Sequence, residues 1–141
     1  MTIQPKQLLE FAKARLDSLD EIETRAAISR AYYCAYHSLY EVTVLVPAVD
    51  SDDDDYIAAK EMLHRLAAWN VAKWPSLGAH KDTANRASRE FRALRDQRTR
   101  ADYNLDAECT GKDLELCVER ASELKTASHE LVRAIRTAQE H

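Results

Sequence analysis

The sequence predicts an all-α fold, an antiparallel up-and-down bundle of four to five helices, built as a single domain over residues 1–141. Apolar residues recur every three to four positions in segment after segment, which is the period of a helix face. Only two Gly and three Pro punctuate the 141 residues, too few for the many turns of a sheet protein. The one β-branched stretch, Val42 to Val46, has no second stretch to pair with, so it reads as the end of a helix.

Pro5 suits the first turn of a helix, where its missing N–H leaves no bond unmade. The first helix is expected over about 6–19, with Leu8, Ala12, Leu16 and Leu19 on its buried stripe. Asp20-Glu21-Ile22-Glu23 has the acceptor-x-x-Glu form of a capping box and starts a second helix, which runs to Val46 and stops at Pro47. A third is expected over 56–74, with Ala58, Met62, Leu66 and Trp69 inward, ending at Pro75 with Gly78 beyond. A fourth covers 82–105. Thr110-Gly111-Lys112-Asp113 then caps a last helix. There Leu114, Cys117, Ala121, Leu124, Ser128, Leu131, Ile135 and Ala138 alternate by three and four, a seam facing neighbouring helices.

The second helix is apolar on two sides. Ile22, Ala26, Ser29, Tyr33, Tyr36 and Tyr40 form one stripe; Ile28, Ala31, Ala35, Leu39, Val42 and Val46 form another. Such a helix is either central in the bundle or carries a second surface to a homodimer partner. Arg30, Cys34, His37 and Glu41 read as a polar strip between these surfaces.

No apolar run is long enough to span a membrane, and the amphipathic N-terminus does not read as a signal peptide. Three cysteines, an odd number without metal-ligand spacing, are expected as reduced thiols in the cytoplasm. His64, His80 and His129 are scattered, so neither a metal nor a cofactor is expected. Asp52–Asp55 lacks the alternation of a calcium loop and reads as a solvated cap of the third helix. Trp69 and Trp74 are expected in the core.

The net charge is −4, yet six arginines fall between Arg86 and Arg100 against only Glu90 and Asp96. A chain acidic overall with one arginine stripe does not coat nucleic acid, but can meet a phosphate at one place. The inward positions of the fourth helix are Ala84, Ala87, Phe91, Leu94, Arg98, Ala101 and Leu105. A charge on that seam is costly unless it is paired. Asp102, one turn on, can supply the carboxylate, and Tyr103 is adjacent. Two readings are open: a structural ion pair, or a cleft in which Arg98, with Arg95 and Arg100 at its edge, faces a phosphate.

The segments Arg25-Ala26-Ala27-Ile28-Ser29-Arg30-Ala31-Tyr32-Tyr33-Cys34-Ala35-Tyr36-His37 and Leu94-Arg95-Asp96-Gln97-Arg98-Thr99-Arg100-Ala101-Asp102-Tyr103 resemble two signature helices of the HEPN family. The likeness in order, spacing and helical plan spans most of the chain. That resemblance implies a helical bundle, often dimeric, and one of several activities. Some members are metal-independent ribonucleases, including toxins of toxin–antitoxin pairs, in which an Arg-x4–6-His motif acts at a dimer interface. Some of those toxins pair with a nucleotidyltransferase antitoxin that modifies a tyrosine after the His. Other members are non-catalytic binding modules.

This chain departs from the catalytic pattern. If Arg98 is the motif arginine, Tyr103 can hold the histidine position; if it is Arg95, that position falls on Arg100 or Ala101. A literal Arg-x6-His, from Arg30 to His37, lies on the second helix instead, which makes this pair the secondary candidate. The expected site is therefore Arg98, Asp102 and Tyr103, with Arg95 and Arg100 as phosphate ligands. The expected function is binding of RNA or a nucleotide phosphate within a toxin–antitoxin or related defence system. The alternatives are an endoribonuclease toxin acting at a homodimer interface, and an interaction module paired with a nucleotidyltransferase. An ordinary tyrosine, with pKa near ~10, is ionised in only about one molecule in a thousand at pH 7, which makes Tyr103 a poor general base.

Overall fold

The structure, a computed structural model, describes residues 3–43, 45 and 80–140. They form α1 (Pro5–Lys13), α2 (Glu21–Thr43), α3 (Lys81–Tyr103) and α4 (Gly111–Gln139), with no strand among the described residues. The fold is an all-α bundle. The expected helix over 56–74, with Trp69, Trp74, the Asp52–Asp55 run and the stops at Pro47 and Pro75, lies outside the described residues.

Contacts between the helices give their directions. Arg25 of α2 reaches Ala101 of α3, while Tyr32, further along α2, stacks on Phe91, further back along α3, so the two run antiparallel. Across the short 104–110 connection, Arg120 of α4 meets Glu90 of α3, which makes that pair antiparallel too. By contrast α2 and α4 run parallel. Glu21 accepts from the Cys109 N–H at one end, and the Leu45 carbonyl accepts from Gln139 at the other.

α2 packs against each of the other three described helices, a central position within the described bundle. Its stripe of Ile28, Ala31, Ala35, Leu39 and Val42 is fully buried. The small alanines let the neighbouring helices approach closely, and Phe91, Leu94, Leu114, Leu124 and Ile135 fill the space between them. Truncating one of these large side chains to Ala costs about 2–5 kcal/mol. The other stripe is graded. Ser29 is buried, Tyr33 and Tyr36 are half-buried, and Ile22 and Tyr40 are exposed. Buried Ser38 and Ser128 each donate to the carbonyl one turn back, Cys34 and Leu124 respectively, so neither hydroxyl is stranded.

Several helix ends differ from expectation. α1 stops at Lys13, short of position 19, because Arg15 folds back: it donates to the Phe11 carbonyl and stacks 3.5 Å over the Phe11 ring. Leu16 stays half-buried, but Leu19 projects wholly into solvent instead of joining the core. α2 is described to Thr43, with Leu45 in a turn, and the expected end at Val46 lies outside the described residues. α3 ends at Tyr103, and Leu105, expected inward, is 78% exposed. At Asp20 only half of the capping box forms. Its carboxylate accepts from the Ile22 N–H, while Glu23 takes the Ser18 hydroxyl. The Thr110–Asp113 box forms in both directions.

The three cysteines are free and buried. Burial pushes the Cys34 thiol up to about 11 and the Cys117 thiol up to about 12, so both stay protonated and unreactive near neutrality. Cys34 therefore leaves the polar strip proposed for α2, whose other members, Arg30, His37 and Glu41, are exposed.

Candidate functional site

The seam between α2 and α3 holds the residues that the two signature segments single out. Ser29, Tyr32, Tyr33 and Tyr36 occupy successive turns of α2, and Arg98, Asp102 and Tyr103 occupy the last turns of α3. Arg98 Nη2 donates to the Tyr33 hydroxyl at 3.0 Å. Its Nε lies 3.1 Å from Asp102 Oδ2, out of line for a hydrogen bond; the two are an ion pair, and that buried N–H has no aligned acceptor among the described residues. The same carboxylate oxygen accepts a long bond, 3.3 Å, from the Ser29 hydroxyl. Three rings bracket the guanidinium carbon, Tyr32 at 5.2 Å, Tyr103 at 5.4 Å and Tyr33 at 5.6 Å.

The cluster is partly covered. The Arg98 and Asp102 side chains are 21% and 28% exposed, and Tyr103 stands at the solvent edge at 70%. Desolvation works against the Arg98 charge, but the Tyr33 bond and the neighbouring Tyr103 and Asp102 outweigh it and hold its pKa above the ordinary value. Burial pushes the Tyr32 phenol up, opposed by the Arg98 charge and more weakly by that of Arg95. The structure thus brings together Arg98, Asp102 and Tyr103, with exposed Arg95 one turn away on the same flank.

Arg100 does something else. Two positions from Arg98 it points across the helix, and it donates to the Glu108 carbonyl at 2.7 Å, tying down the connection to α4. Arg30 and His37 are exposed two turns apart on α2 and do not meet. The His37 ring does lie near the cluster, 5.3 Å from Tyr36 and 6.4 Å from Tyr33.

Sequence reasoning gave no role to Arg25. Its Nη1 donates to the carbonyls of Ala101, Asn104 and Arg100, and its Nη2 donates to that of Ala107 and to Glu21. One guanidinium thus caps the end of α3, where the helix dipole favours a cation. Glu21 supports it. The Cys109 N–H, with Arg25 beside it, holds the Glu21 carboxyl below the ordinary value.

Among the described residues no three His, Cys, Asp or Glu side chains converge to hold a metal ion, and no helix is long and apolar enough to cross a membrane. Fold and site together define a helical bundle with an arginine set among aromatic rings between two helices. Compared with family models, with curated proteins and with solved structures, the chain matches none.

Proposed function

We propose that the chain is a HEPN-like domain that binds RNA or a nucleotide phosphate through the Arg98 cleft, as a component of a toxin–antitoxin or related defence system. The observation that carries this reading is the partial exposure of Arg98 among aromatic rings. The guanidinium is held by Tyr33 and paired with Asp102, yet the side chain is 21% exposed, and an anion would meet that solvent edge rather than the Nε–H, which is buried against Asp102. Exposed Arg95 adds a second cation one turn from Arg98. The surrounding rings suit a nucleotide, since bases stack on aromatic faces. A homodimer and a nucleotidyltransferase partner belong to the same reading, through the resemblance of the two helices.

A metal-independent ribonuclease acting at a homodimer interface is the second reading, and His37 favours it. Its imidazole lies along the wall formed by Tyr33, which Arg98 contacts directly, and cleavage by a ribose 2′-OH needs such a proton carrier near a cation. Both readings meet in one experiment, in which a fluorescein-labelled single-stranded RNA is titrated with wild type and Arg98→Ala at low salt and then run on a denaturing gel. Binding weakened by about tenfold or more in the variant, with intact RNA, is the expected outcome. Cleavage by wild type that Arg98→Ala abolishes establishes the nuclease. No RNA affinity in wild type, with strong destabilisation of the variant, leaves Arg98 a structural ion pair.

A further inference from the structure

Two ion pairs on α3 are built differently. Arg120 and Glu90 form an ordinary bridge: Arg120 Nε donates in line to Glu90 Oε2 at 3.2 Å. Arg98 and Asp102, four residues apart on the same helix, come as close, with Nε and Oδ2 separated by 3.1 Å. There the N–H points out of line, and no hydrogen bond forms. The other hold on that oxygen is the hydroxyl of buried Ser29 on α2, at 3.3 Å near the long end of the hydrogen-bond range. Both contacts fall on Oδ2, and the Asp102 side chain is 28% exposed, so the carboxylate has water to swing into. It is held in place, but not tightly.

A carboxylate tethered one turn from a guanidinium competes with any anion in solution. Its local concentration there is on the order of millimolar or more. An arriving anion either displaces it or meets its repulsion. Partly exposed pairs of this kind are weakly held, so displacement is within reach of a ligand that brings further contacts. Tyr103, 70% exposed and 5.4 Å from the guanidinium carbon, offers one such contact to a flat aromatic group. We infer that Asp102, steadied by Ser29, is an internal competitor that covers Arg98 and sets a threshold against small anions. The inference rests on the reading of Arg98 as an anion site. Within that site Arg98 is the residue that binds, and Asp102 is the residue that has to leave.

The test follows the Arg98 Nε resonance in the isotopically labelled full chain, assigned by its loss in Arg98→Lys, as inorganic phosphate is added. Wild type, Asp102→Asn and Ser29→Ala are compared, and each is then titrated with a labelled single-stranded RNA. Asp102→Asn keeps the side chain's shape and removes its charge. It should respond at about tenfold lower phosphate than wild type, with RNA affinity raised by about the same factor. Ser29→Ala leaves every charge in place and only frees the carboxylate, so it should shift both by a few-fold. If Asp102→Asn does not melt as a folded protein, Ser29→Ala decides alone, and no change there overturns the inference. A folded Asp102→Asn that responds to phosphate like wild type or more weakly overturns it, and so does a resonance that phosphate moves in neither protein. Loss of RNA affinity in Asp102→Asn also overturns it, because Asp102 then positions Arg98, and the RNA reading survives. The expected phosphate response with no RNA affinity in any of the proteins does the opposite: Asp102 stands as the competitor, and RNA is rejected as the ligand.

Discussion

Arg25 and Arg98 both bridge α2 and α3, a few residues apart along the same seam, and the contrast between them separates a structural arginine from an available one. Arg25 enters the end of α3, where four backbone carbonyls and Glu21 absorb its donors, and its side chain is only 12% exposed. Arg98 enters a wall of aromatic rings and meets one hydroxyl and one poorly aligned carboxylate. Backbone carbonyls at a helix terminus must be satisfied whatever the protein does, so an arginine that answers them is spent on the fold. Side-chain partners that leave part of a guanidinium open keep it free for an external anion.

The largest expected effect follows from the first half of that contrast. Arg25→Ala strands several carbonyls and removes the cation from the α3 terminus, and should cost about 3 kcal/mol in chemical denaturation. Arg25→Lys keeps the charge but not the planar fork, and should recover less than half of that loss. Arg98→Ala comes next. Because Asp102 can reach water, its loss should cost about 1 kcal/mol or less, while RNA affinity collapses. If the two alanine variants prove equally destabilised, the contrast breaks and Arg98 is structural as well.

Tyr33→Phe sharpens the comparison on a smaller scale. It removes the hydroxyl that accepts from Arg98 and leaves the ring, so stability should fall by about 0.5–1 kcal/mol and RNA binding by a few-fold. A variant that binds RNA as wild type does would show that Tyr33 does not position the guanidinium. The smallest effect is expected for Arg95→Ala at the exposed mouth. Its melting curve should be unchanged, and the slope of log affinity against log salt should become shallower by about 1.

These two arginines also mark what the sequence made legible. Arg98 stood out because a charge interrupted an apolar seam of fixed period, a conflict readable from spacing alone. Asp102 followed from its place one turn away. Arg25 could not be read in the same way, since its partners are main-chain atoms 75 to 82 residues distant and a carbonyl carries no residue signature. The Arg100 contact was unreadable for a related reason, because its acceptor is also a backbone oxygen. Leu19 and Leu105 were misread because a periodic count runs on past a helix end unless the stop is recognised. The stop at α1 is Arg15 folding back on Phe11, a device with no Gly or Pro to announce it. Thr110 and Asp113, by contrast, cap through side chains three residues apart, and there the local reading holds.

The parallel course of α2 and α4 has a consequence for how the protein is made. The bonds that tie these helices together, Glu21 to Cys109 and Leu45 to Gln139, span 88 and 94 residues of chain. α2 therefore leaves the ribosome well before the helix that covers its apolar face. At about 5–20 residues per second, that face waits for several seconds. During that interval Ile28, Leu39 and Val42 have, among the described helices, α1 and α3 to shelter them, and a chain interrupted before Gly111 lacks the α4 side of its core.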